Sequence, residues 1–125
     1  RDVKEKKVVL VKRDDKEKLF MSINNILEPI QKLLEDIQSS LLGQARDFRD
    51  TNTHDVKDYI EFKDVINRGG FVRCGWNGDP HTEARIKEET KATIRCIPFN
   101  EKPNGLDCIF TGEEAKHEVI FAKAY

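Results

Sequence analysis

The sequence predicts an α+β fold in two parts, a β-hairpin with a long helix and then a compact unit with a small sheet. Three observations carry this. A β-branched run at 8–11 is followed by a polar turn and a second apolar stretch. Apolar residues between Ile26 and Phe48 recur at steps of three and four. Beyond residue 58, short apolar runs alternate with two segments that carry helix start and stop signals.

The stretch "VVLVKRDDKEKLFMSI" (8–23) reads as the hairpin, turning at Asp14-Asp15. A lone hairpin is marginal in water and needs a further sheet or helix to lean on. Ile26, Ile30, Leu33, Leu34, Ile37, Leu41, Ala45 and Phe48 then fall on one helical stripe. Asn24 or Asn25 is expected to cap this helix, with Pro29 tolerated in its first turn and an end at about Arg49. The polar stretch "DTNTHD" (50–55) is the expected boundary, dividing the chain into 1–52 and 53–125.

Asp58 is the expected N-cap of a second helix, paired with Glu61 three residues on. Its buried face is Tyr59, Phe62, Val65 and Ile66, and Gly69-Gly70 supplies the left-handed stop. "FVRCGW" (71–76) follows as a strand. Asp79-Pro80 starts a third helix, with Asp as N-cap and Pro as first helical residue, running to Lys91. "TIRCIPF" (93–99) reads as a strand, "LDCIFTG" (106–112) as a short strand with a turn, and "EVIFAKAY" (118–125) as a final strand.

At 125 residues the chain holds one ordinary domain or two very small ones, too little for a large cleft with its own cofactor domain. Charged residues make up 36%, with a net charge of −1, which excludes a general nucleic-acid binder. Any RNA contact is therefore local. Residues 1–18 are the place for it, with eight basic residues against five acidic ones. The same charges also serve to keep an edge strand from pairing with other chains. No apolar run spans a bilayer, no signal-peptide pattern opens the chain, and three cysteines give no disulfide framework. A reducing, cytoplasmic setting is expected. The first residue is Arg, so a fragment of something longer is expected too.

"RCGWNGDPHTEARIKEE" (73–89) places Cys74, Asp79 and His81 close together, with Cys96 and Cys108 downstream. A structural zinc site takes four Cys or His ligands, commonly as two close pairs. Cys74 has no cysteine nearby, and the segment from Cys108 reads C-x-x-T rather than C-x-x-C. Cys96, expected mid-strand, reads as a small hydrophobe and His81 as a surface residue. A Cys74–His81 nucleophilic pair lacks an orienting third group, so no catalytic residue is assigned. "NGDP" carries too few glycines for a phosphate loop, and Asp79 would repel an anion.

The strings "IKEETKATIRCIPF" (86–99) and "FAKAY" (121–125) closely resemble the end of prolyl-tRNA synthetases of the archaeal and eukaryotic type, which also occur in some bacteria. "ARDFRDTNTHDVKDYIEFKDVI" (45–66) is similar to that family's connecting helices. The opening "RD" with "VVLV" is similar to the last hairpin of its anticodon-binding domain. The resemblance implies that 1–52 is the end of an α/β anticodon-binding domain and that 53–125 is an α+β C-terminal domain. It further implies a parent, expected to be a homodimer, that joins proline to tRNA(Pro) using ATP and magnesium. This part would be non-catalytic, would need no cofactor of its own, and would pair with the parent's catalytic domain. The alternative is a free-standing RNA-binding or docking module related to that domain.

By position, the resemblance implies RNA contacts at Arg1 and Lys16, and it brings Tyr125 toward the parent's active site. The family's extra domain commonly holds zinc with four cysteines, and the matching positions here read Cys74, Thr82, Cys108 and Thr111. The turn between the first two is longer, with "WNGDP" (76–80) inserted. A degraded site without zinc is the expectation, since a threonine hydroxyl is a poor zinc ligand. Apolar packing around Trp76, Ile109 and Phe110 is expected in the metal's place.

Overall fold

A computed structural model describes residues 2–124. The chain divides into two compact units, Arg1–Phe48 and Arg49–Tyr125.

The first unit opens with a single helical turn, α1 (Asp2–Glu5), and then a hairpin of β1 (Lys7–Val11) and β2 (Lys18–Ser22). The strands pair antiparallel in the register Val9 with Phe20. The turn between them is closed by the Lys12 amide donating to the Glu17 carbonyl at 2.9 Å. A 3-10 turn at Ile23–Asn25 leads into α2 (Leu27–Thr51). Asn24 and Asn25, expected to cap the long helix, lie within this turn, which Ser22 caps: its hydroxyl accepts from the Asn24 amide at 3.4 Å. The α-helix proper thus starts at Leu27 and puts Pro29 within its first turn, where a missing amide costs nothing.

No residue from Lys4 to Phe48 is buried. Phe20, Leu27, Leu34 and Phe48 are each at least 60% exposed. This unit therefore has local structure and ion pairs but no closed core of its own.

The second unit has the opposite character. Its sheet has the order β3-β4-β6-β5, from β3 (Thr53–Asp55), β4 (Phe71–Trp76), β6 (His117–Lys123) and β5 (Ala92–Cys96). β3 and β4 run parallel, joined by α3 (Tyr59–Arg68), while β6 lies antiparallel to both β4 and β5. α4 (Pro80–Thr90) connects β4 to β5. Both short helices follow their capping residues. Asp58 accepts from the Ile60 and Glu61 amides at 2.8 and 3.1 Å, and Gly69 stops α3 at φ 87°. Asp79 accepts from the His81 amide at 2.9 Å with Pro80 opening α4.

The core is one cluster. Phe62, Val65 and Ile66 of α3 and Ile86 of α4 meet Val72 and Cys74 of β4 and Val119 and Phe121 of β6. Phe62 and Phe121 pack edge-to-face at 5.3 Å between ring centres.

Three expectations are corrected. "DTNTHD" is not only a boundary: Thr53–Asp55 becomes β3 because the edge of β4 accepts it, the Phe71 amide donating to the Asn52 carbonyl at 2.8 Å. "TIRCIPF" is a strand only as far as Cys96, since the register shifts by a bulge between Ile94 and Cys96, and Ile97, Pro98 and Phe99 leave the sheet. Cys96 is therefore exposed at a strand end and not a mid-strand hydrophobe. "LDCIFTG" forms no strand. It curls into a turn, the Gly112 amide donating to the Cys108 carbonyl at 2.9 Å and the Cys108 amide to the carbonyl of Glu113, just beyond the segment, at 2.6 Å.

Candidate functional site

Two regions hold the residues singled out in the sequence. The first is the hairpin turn. Lys12 is tied down there, 2.9 Å from Asp15 and 3.5 Å from Glu17. The Asp15 hydrogen bond raises the Lys12 pKa, while the Glu17 amide and Lys12 together lower that of Asp15. Lys16 is exposed in left-handed backbone at φ 65°. Among the described residues no carboxylate lies within ion-pair distance of it. The turn thus spends one lysine on its own carboxylates and presents another to solvent. Arg1, the other residue in this group, lies outside the described residues, as does Tyr125.

The second region is built on β4. Gly75 allows the 106–116 segment to lie directly against this strand, because a Cβ there would collide with the Asp107 carbonyl oxygen and stand 2.8 Å from Ala115 Cβ. The Ile109 amide donates to the Gly75 carbonyl at 3.0 Å and the Lys116 amide to the Trp76 carbonyl at 2.9 Å. Within the segment, the Gly112 amide donates to Cys108 and the Ala115 amide to Leu106, which folds it into a knuckle. Ile109 enters the core, and Phe110 packs edge-on to Tyr59 at 5.1 Å with the Arg85 guanidinium 4.8 Å from its ring centre. The Tyr59 hydroxyl donates to Glu89 at 2.9 Å, so α3, α4 and the knuckle are fastened at one corner.

Cys74, Thr82 and Cys108 are buried in this region and Thr111 is exposed on the knuckle. Burial pushes the Cys74 thiol well above its ordinary value, and neighbouring Cys108 and Glu118 act in the same direction. The expected apolar packing is present, with Ile109 in the core and Trp76 and Phe110 against it. A polar network accompanies it that sequence reasoning missed. Asn77 Nδ2 donates to Thr82 Oγ1 at 3.3 Å and to Glu113 Oε2 at 3.1 Å, while Thr111 Oγ1 donates to Glu113 Oε2 at 3.2 Å.

Two thiols and two hydroxyls do not fit zinc, which is held by Cys, His and carboxylate ligands. Both hydroxyls are also engaged in these hydrogen bonds. His81 is exposed, and among the described residues no three His, Cys, Asp or Glu side chains are grouped to hold a metal. Among the described residues no hydrogen bond joins His81 to Cys74. No described helix is long and apolar enough to cross a membrane.

These features define a small α+β module whose best-built part is a docked knuckle, preceded in the chain by a unit whose hairpin carries a solvent-facing cation. The family described as prolyl-tRNA synthetase, C-terminal, matches residues 59–125. Curated relatives match along the whole chain. A proline–tRNA ligase of Alkaliphilus oremlandii is 44% identical over 126 residues, covering 100% of this chain and 26% of the relative. Proline–tRNA ligases of Phocaeicola vulgatus and Azobacteroides pseudotrichonymphae are 42% and 45% identical, again over 100% of this chain and over 26% and 25% of their own lengths. The chain belongs to the prolyl-tRNA synthetase C-terminal family, and it spans about a quarter of the length of these relatives.

Proposed function

We propose that the chain serves as the C-terminal region of a cytoplasmic proline–tRNA ligase, in which the rest of the polypeptide uses ATP and magnesium to join proline to tRNA(Pro). The match to proline–tRNA ligases along the whole of this chain carries this reading. The region itself is non-catalytic. Its second unit is a folded platform beside the catalytic domain, and its hairpin contributes to the anticodon side of the tRNA surface. In a dimeric parent each subunit carries one such region, and Tyr125 is directed toward the active site.

Support for the RNA role comes from the charge arrangement in the turn. A lysine bound to two carboxylates offers little to a phosphate, whereas Lys16 has no such partner among the described residues. Replacing Lys16 with Ala in the synthetase that carries this chain is expected to weaken tRNA binding. If the contact is to phosphate, the slope of log affinity against log salt falls by about 0.7–0.9. Unchanged affinity and slope would remove Lys16 from the RNA surface. The 125-residue chain supplied with proline, ATP and tRNA is expected to form no prolyl-tRNA, and turnover by it alone would refute the non-catalytic assignment.

A further inference from the structure

In a four-cysteine site the metal would tie the β4–α4 turn, through positions 74 and 82, to the knuckle, through 108 and 111. In this chain those two turns are joined by other means. Thr82 Oγ1, Asn77 Nδ2, Glu113 Oε2 and Thr111 Oγ1 form a continuous chain of hydrogen bonds of 3.3, 3.1 and 3.2 Å, and the Glu113 amide donates back to Thr111 Oγ1 at 3.3 Å. The first and last members are the two positions where a thiol is replaced. Asn77, the central donor, lies in the inserted "WNGDP", and its Oδ1 accepts from the Asp79 amide at 3.2 Å, which fixes the amide's orientation. The loss of two ligands, the longer turn and the carboxylate at 113 therefore belong to one arrangement.

We infer that the Asn77–Glu113 bridge takes over the metal's mechanical role, so that the second unit of this chain folds and holds its knuckle without zinc. Glu113 supplies a charged acceptor, which strengthens the hydrogen bonds it receives from Asn77 and Thr111. Backbone contacts from Gly75 to Ile109 and from Trp76 to Lys116 reinforce the same junction. Cys74 and Cys108 remain as buried small side chains, Cys74 within the core cluster. This inference is independent of the RNA role proposed above.

Metal analysis and thermal melts of the 125-residue chain test it. The expected result is no stoichiometric zinc after purification and a Tm that neither a chelator nor added zinc moves by more than about 1 °C. Stoichiometric zinc, or a chelator-dependent fall in Tm, would overturn it. Asn77→Ala and Glu113→Ala are each expected to lower Tm by about 4–8 °C, and the double variant to fall by less than the sum of the two, because both remove the shared Asn77–Glu113 bond. Absent or additive shifts would refute the bridge. The variant T82C/T111C is expected to take up one zinc and to lose its dependence on Asn77. Failure to bind zinc would show that the bridge does not span the metal's former position.

Discussion

Gly75→Ala is expected to unseat the knuckle from β4. The added methyl would fall on the Asp107 carbonyl, which is backbone and has no rotamer to move away, and would press on Ala115 Cβ at 2.8 Å. Overpacking of this kind costs about 1–3 kcal/mol. If the segment withdraws instead, the backbone hydrogen bonds from Ile109 to Gly75 and from Lys116 to Trp76 are lost, at about 1 kcal/mol each. Either route destabilises the second unit by about 2 kcal/mol. For a unit of this size that lowers Tm by about 8–16 °C. Thermal melts followed by the near-ultraviolet dichroism or fluorescence of Trp76, which packs against the second unit's core, report it. Amide exchange at Ile109 should accelerate with it. A Tm within about 3 °C of the parent, with Ile109 still protected, would refute the claim that this contact needs a glycine.

Alkaline stability gives a second prediction. Burial first, and then the hydrogen bond to Glu89, hold the Tyr59 phenol protonated above its ordinary value of 10.0. Above about pH 10 the unfolded chain releases a proton that the folded chain keeps, so stability falls as pH rises further. In Tyr59→Phe this part of the alkaline loss is absent, and an unchanged alkaline profile in urea titrations would contradict it. Thiol labelling gives a third: in the folded chain an aromatic disulfide reagent should modify Cys96 rapidly, and reach Cys74 and Cys108 only on unfolding. Fast modification of more than one thiol per chain would contradict the packing. Finally, Asp58→Ala removes the acceptor for two amides at the start of α3 and is expected to cost about 1 kcal/mol, seen as a lower urea midpoint with an unchanged slope.

The parts of this fold that were legible in the sequence are those written in adjacent residues. Asp58, Gly69, Asp79 and Pro80 act within a few positions of themselves, so α3 and α4 could be placed from local chemistry. β3 was not legible, since "THD" carries no apolar alternation and becomes a strand only through the edge of β4. The "LDCIFTG" segment misled because its apolar residues answer to two different neighbours. Ile109 enters the core, whereas Phe110 packs against Tyr59 and Arg85. Cys96 looked internal because a bulge and the following Pro98 leave no composition signal strong enough to end a strand early. At Thr82 and Thr111 the absence of a thiol could be read directly. The polar bridge between them could not, because Asn77 and Glu113 are 36 residues apart and neither is unusual in its own context.

The lack of any buried side chain between Lys4 and Phe48 also bears on how such a polypeptide is disposed of in a cell. Local opening costs least where few apolar groups are packed, and proteases and chaperones act on segments that open. A damaged or unassembled copy would thus be gripped through the hairpin and α2, while the unit from Arg49 onward, closed around Phe62 and Phe121, resists longest. Clearance would proceed from the uncovered side, and the resistant remnant would be the knuckle-bearing unit.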